Sequence, residues 1–122
     1  MTIGEVSRKY NITEDTLRYY EKVGLIDAVQ KNKSGIRDYG ETSISQVEFV
    51  KCMRCANIPI EALKRYMDLY KKGDKTINER RNILLEQKEN VEAQIHELEA
   101  AKKRLEYKIE LYDKRILEKK LK

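Results

Sequence analysis

Apolar residues recur at every seventh position in the C-terminal part of the chain: Ile77, Leu84, Val91, Leu98, Leu105 and Tyr112, without a miss. The complementary heptad position holds Ile95, Ile109 and Ile116, but also Arg81, Lys88 and Lys102. No Gly or Pro interrupts the run, and the Thr76–Glu79 spacing at its start is that of a capping box. One helix from Thr76 to about Lys119 is predicted, reaching some 60–70 Å at about 1.5 Å per residue. Such a helix cannot bury its seam alone and requires a partner helix. The basic residues in the seam disfavour a continuous parallel zipper. They fit a shorter or antiparallel contact, or positions covered by another part of the partner. Ile77, Leu84, Val91, Ile95, Leu98, Leu105, Ile109 and Tyr112 are the expected dimerisation residues.

Shorter periods govern the N-terminal part. Thr2 and Glu5 have capping-box spacing, and Ile3, Val6 and Tyr10 follow at helical intervals. Asn11-Ile12 breaks that helix, Thr13 is suited to capping a second, and Gly24 is suited to ending it. Two short helices this close make a helix-turn-helix candidate. On the second, Leu17, Tyr20 and Val23 share a side with Thr13, while Arg18 projects almost opposite and Tyr19 sits at the margin. A recognition helix needs an apolar side to seat it and a polar side for the major groove. An ordinary amphipathic surface helix has the same pattern.

Val29-Gln30-Lys31 and Ile36-Arg37-Asp38-Tyr39 are then joined by Asn32-Lys33-Ser34-Gly35, which predicts a small hairpin. After a helix-turn-helix such a hairpin reads as a wing, and Lys31, Lys33 and Arg37 suit it to phosphate contact. A third helix over about Ser43 to Ala56 is apolar on nearly all sides, both cysteines included, and is expected to be buried between layers. A fourth begins near Pro59, carries Ile60, Leu63, Tyr66, Met67 and Tyr70 on one stripe, and ends near Gly73.

Composition agrees with a small domain followed by an exposed helix, since 39% of the 122 residues are charged. The net charge of +5 leans toward polyanionic partners, but residues 1–55 hold nine Lys/Arg against eight Asp/Glu. Placement, not bulk charge, must therefore carry any argument for DNA. No segment approaches the roughly 20 apolar residues of a membrane span, the N-terminus has no signal-peptide core, and two cysteines are no secreted disulfide framework. A cytoplasmic protein is expected.

Thr16-Leu17-Arg18-Tyr19-Tyr20-Glu21, then Gly24-Leu25-Ile26, the Arg37-Asp38-Tyr39 wing ending and the long last helix together resemble the MerR family of bacterial transcription regulators. The resemblance covers the whole chain. It implies a mostly α fold, with a winged helix-turn-helix over 1–73 and a dimerisation helix over 74–122 forming an antiparallel coiled coil. It also implies a homodimer that binds pseudo-palindromic promoter DNA and distorts an over-long spacer for RNA polymerase. Thr16, Arg18 and Tyr19 are then the recognition-helix residues, and Lys33, Arg37 and Tyr39 supply wing and backbone contacts.

The family's effector types differ, and neither a metal nor a drug sensor is expected. Cys52 and Cys55 alone make a poor zinc site, His96 lies within the coiled coil, and no ligand-binding domain follows it. No metal and no cofactor are therefore implied. Lys51-Cys52-Met53-Arg54 resembles the subgroup that responds to aldehydes, other electrophiles or thiol oxidants, making Cys52 the candidate sensor. The flanking cations could stabilise its thiolate, whereas an inert Cys filling a buried helix is the competing reading. A redox enzyme is disfavoured because such cysteine pairs normally sit at a helix N-terminus. The remaining alternative is a coiled-coil adaptor reusing the fold for protein interaction, which the near-neutral N-terminal half allows.

Overall fold

The computed structural model describes residues 1–121, and five α-helices carry most of them. Helix α1 (Ile3–Tyr10) opens on the expected capping box: the Glu5 N–H donates to Thr2 Oγ1 at 3.2 Å, and the Thr2 N–H to Glu5 Oε1 at 3.0 Å. Asn11, in the left-handed region at φ 53°, closes it. Helix α2 (Glu14–Val23) is capped by the Thr13 side chain and ends on Gly24 at φ 83°, a backbone that a side chain would strain.

The wing between α2 and the next helix is a slender hairpin. Lys31 pairs antiparallel with Arg37, and Thr2 with Asp38, each as an isolated bridge. The Asn32 side chain shapes the tip by accepting from the Ser34 and Ile36 N–H groups at 2.9 and 3.1 Å. Lower down, the Asp38 N–H donates to the Gln30 carbonyl at 2.8 Å and the Tyr39 N–H to the Met1 carbonyl at 2.7 Å. The return arm is thereby tied both to the outgoing arm and to the start of α1.

Helix α3 (Glu41–Cys55) and helix α4 (Ile60–Lys71) follow, separated by Asn57 at φ 62° and by Pro59. The expectation that α3 is buried on nearly all sides is corrected: only Val47 and Val50 are buried on it, while Cys52 and Cys55 are exposed. At 3.6 residues per turn Cys52 falls opposite the Val47–Val50 stripe, which is why packing that stripe leaves it on the surface. The core joins Ile3, Val6, Leu17, Tyr20, Leu25, Ile26, Tyr39, Val47, Val50 and Leu63, drawing on all four helices and the wing.

A short 3-10 turn (Asp74–Thr76) leads into helix α5 (Ile77–Leu121). Thr76 does not act as the expected cap. It is buried, with its hydroxyl 2.7 Å from the Leu69 carbonyl and 2.8 Å from that of Gly73, and it accepts from Arg80 Nε at 3.0 Å. Its hydroxyl proton is thus directed at the Leu69 and Gly73 carbonyls, at and just after the end of α4, and its oxygen caps no amide at the start of α5. The Arg80 guanidinium also stacks on Tyr70 at 5.2 Å, adding a cation–π contact at this turn.

The chain divides into two compact units, Met1–Leu84 and Leu85–Lys122. The first extends past Gly73, and Thr76 and Ile83 are buried within it. Within the second, Ile95, Leu98, Leu105, Ile109 and Tyr112 are exposed, Leu98 by 70%.

Candidate nucleic-acid interface

The capping of α2 sets the first part of the site. Thr13 Oγ1 accepts from the Thr16 N–H at 3.1 Å and donates to Thr16 Oγ1 at 2.7 Å, so the Thr16 hydroxyl sits on the first turn in a fixed rotamer. Leu17 and Tyr20 are buried, which seats the helix and turns its other side outward. Arg18 and Tyr19 are exposed on that side. The Arg18 guanidinium lies 3.0 Å from Asp15 and 3.8 Å from Glu14, both exposed. Exposed pairs of this kind contribute roughly 0–1 kcal/mol, so Arg18 can exchange them for a base edge or phosphate at small cost.

The wing supplies the second part. Lys31 and Lys33 are exposed on it, and neither forms a salt bridge among the described residues. Arg37 differs from the free cation expected. Its Nε and Nη2 donate to Glu21 Oε2 at 3.2 and 3.0 Å, with both side chains largely covered. The Arg37 guanidinium is held above its ordinary value by that hydrogen bond. Partial burial alone would raise the Glu21 carboxyl, but hydrogen bonds from Arg37 and the Val29 N–H outweigh it and hold the carboxyl below its usual value.

Tyr39 is the second departure. It is 1% exposed, inside the core, and burial pushes its phenol up. Its hydroxyl is buried with no hydrogen-bond partner, so in this conformation the ring fills space beneath the wing instead of offering a group to a phosphate. The Arg-Asp-Tyr motif therefore has a structural part that the surface reading missed. Glu21 was missed as well, because nothing in one sequence signals that a carboxylate on α2 meets an arginine sixteen positions on.

Around Cys52 the local chemistry also differs from expectation. The Lys51 ammonium donates to the Tyr10 carbonyl, and Arg54 Nη1 donates to the Ile58 carbonyl at 2.8 Å. Both flanking cations are thus directed at backbone carbonyls, and the thiol sits on an open helix face. An open groove of about 430 Å³ lies between α3 and α4, lined by Ser45, Gln46, Phe49, Tyr66, Met67 and Tyr70. No nucleophile is paired with a base there. Among the described residues no three His, Cys, Asp or Glu come together as a metal site, and no helix is long and apolar enough to cross a membrane.

The surface so built is a polar helix face beside a hairpin carrying two free lysines, the arrangement of a winged DNA reader. Comparison with known proteins agrees. Residues 1–70 match the MerR HTH family regulatory proteins, and residues 44–107 the MerR DNA-binding family. The HTH-type transcriptional regulator AdhR of Bacillus subtilis (strain 168) is 47% identical over 91 residues, 75% of this chain and 65% of that relative. The matched segment thus spans just under two thirds of AdhR. A MerR family regulator from Listeria monocytogenes superposes with a TM-score of 0.86 at 36% identity, over 93% of this chain and 86% of that one. HiNmlR, a MerR family regulator lacking the sensor domain and bound to promoter DNA, superposes at 0.83 with 31% identity, over 93% and 90%. Members of this family are DNA-binding regulators and not enzymes. On the match over residues 1–70 and these likenesses over 93% of the chain, it belongs to the MerR family of helix-turn-helix transcription regulators.

Proposed function

We propose that this chain binds a pseudo-palindromic promoter as a homodimer and activates transcription by bending and underwinding an over-long spacer, so that RNA polymerase engages both promoter elements. The observation that carries the reading is the exposed apolar seam of α5. Ile95, Leu98, Leu105, Ile109 and Tyr112 are each at least half exposed on a single face, and an unpartnered helix would leave that face wet. A second copy covers it and brings a second recognition helix, which the two-fold symmetry of a palindromic site requires.

Charge favours antiparallel pairing. Residues 77–99 carry three Lys/Arg against six Asp/Glu, whereas residues 100–122 carry nine against four. Laid antiparallel, each acidic half faces a basic half. Laid parallel, like faces like. Thr16, Arg18 and Tyr19 read or clasp the duplex from α2, and Lys31 and Lys33 contact phosphate from the wing. The likeness to HiNmlR, which is bound to promoter DNA, supports this assignment.

Cys52 is the proposed signal receiver, for aldehydes, other electrophiles or thiol oxidants. Its exposure supports access by a reagent. An adduct at Cys52 enlarges the open face of α3 and changes what that face can pack against in the dimer.

Footprinting on the promoter preceding its own gene tests the whole reading. A two-fold-symmetric footprint, with spacer distortion appearing when an aldehyde is added, is expected. Absence of salt-dependent duplex binding would leave the adaptor reading in its place.

A further inference from the structure

A carboxylate next to a DNA-facing surface is repelled by every phosphate it approaches, so an acid on the last turn of a recognition helix needs a compensating role. Glu21 has one in the geometry. Its Oε1 accepts from the Val29 N–H at 2.6 Å, on the outgoing arm of the wing. Its Oε2 accepts from Arg37 Nε and Nη2 at 3.2 and 3.0 Å, on the return arm. Among the described residues the arms are otherwise joined by the thin ladder of the Lys31–Arg37 bridge, a few backbone hydrogen bonds and the Asn32 side chain at the tip. A single side chain of α2 therefore holds both arms, one with each oxygen. Only 17% of it is exposed, so the pair is less screened than a rim salt bridge.

We propose that Glu21 is a positioning residue for DNA recognition, which latches both arms of the wing to the recognition helix so that Arg18 and the wing lysines meet the duplex as one rigid surface. Arg37 is the other half of that latch and not an independent phosphate-binding cation. This rests on the DNA-binding reading above, and it makes a claim opposite in sign to charge alone. Removing an acid from a DNA-binding surface should tighten binding by electrostatics; breaking this latch should weaken it, because ordering the wing must then be offset at the moment of binding.

The test uses Glu21→Gln in the full chain, which keeps the shape and an acceptor for Val29 but removes the charge that holds Arg37. Binding to the duplex preceding its own gene is measured across a salt series, together with phosphate-ethylation interference. Affinity is expected to fall by about tenfold, the scale of a lost charge-assisted pair. Interference should disappear under the wing and persist under α2, with the circular-dichroism spectrum unchanged. Wild-type protein that fails to bind the duplex overturns the DNA reading and the latch together. Wild-type binding with equal or tighter binding by Glu21→Gln, and a full wing footprint, overturns the latch alone. Should Glu21→Gln not fold, Arg37→Lys decides: it keeps the charge and loses the two-pronged geometry, so the same selective loss under the wing is expected and an unchanged footprint refutes the proposal. The double variant Glu21→Gln/Arg37→Gln should bind no worse than the weaker single variant. Additive losses would mean that each residue contacts DNA independently.

Discussion

Leu17, Leu25 and Ile26 in the first unit are at most 1% exposed, whereas Leu98 and Leu105 in the second are 70% and 64% exposed. The residue types are alike and their surroundings are opposite. The first unit closes a core on itself from four helices and a hairpin, so its stability is an internal property. The second offers apolar side chains along one face of one helix, and their burial depends on a second molecule. Loss of a leucine in the first should be felt at any protein concentration, and in the second as a shift in assembly.

The sharpest way to break this contrast is Leu98→Lys. A charge in each copy of the seam should weaken dimerisation by about 3–5 kcal/mol across two symmetric sites. Sedimentation velocity should show the unaltered chain as a dimer at micromolar concentration and the variant as a monomer. A stable monomer for the unaltered chain removes the second half of the comparison. Leu17→Ala probes the other half. Emptying a fully buried site should cost about 2–5 kcal/mol, with a lowered melting temperature for the first unit that does not change on dilution.

Next in size is Arg18→Ala. If Arg18 contacts a base edge, the loss should be about 1–3 kcal/mol and confined to the cognate sequence. Its exposed pairs with Asp15 and Glu14 make the folded state nearly indifferent to the change, so the melting temperature should stay put. Unchanged affinity with intact circular dichroism would take Arg18 out of the interface.

The sequence made local signals legible and long-range ones not. Thr2, Thr13 and Gly24 announce helix ends because a cap is decided by neighbours within three or four residues, and all three stand where the spacing put them. Thr76 has the same local spacing, yet its hydroxyl turns to the Leu69 and Gly73 carbonyls, because α4 ends beside it. Helix α3 misled by the same route: its apolar content is spread around the helix, and only packing decided that Val47 and Val50 face inward. The roles of Tyr39 and Glu21 depend on contacts between α2, the wing and the core, which periodicity cannot show. The heptad seam was legible since its repeat is a property of one helix.

Acid gives a smaller and more selective effect. The Glu21 carboxyl titrates below its ordinary value in the folded chain, so the stabilisation it contributes is fully present above the unfolded value. It is lost as pH falls through the lowered folded value, a window beneath the usual carboxylate range. The protection factor of the Val29 amide, taken relative to the slower intrinsic exchange in acid, should therefore be high at neutral pH and fall on acidification before those of the core amides of α2 respond. Simultaneous loss of protection at Val29 and Leu17 would show that the wing has no separate latch.

The smallest expected effect on the fold belongs to Cys52→Ser, and that smallness is what makes it informative. Cys52 lies on the exposed side of α3, opposite Val47 and Val50, and replacing sulfur by oxygen there should change stability by less than about 0.5 kcal/mol. A buried filler would behave differently: a hydroxyl placed in a core without a partner costs on the order of 1–3 kcal/mol. The melting temperature thus separates the two readings of this cysteine before any induction is measured. With the fold intact, Cys52→Ser should bind the promoter as the unaltered chain does and lose its response to aldehyde or thiol oxidant, while Cys55→Ser, on the same helix and also exposed, should keep it. Full induction in the Cys52→Ser strain refutes the sensor assignment, and mass spectrometry of the treated wild-type protein then identifies the thiol that reacts.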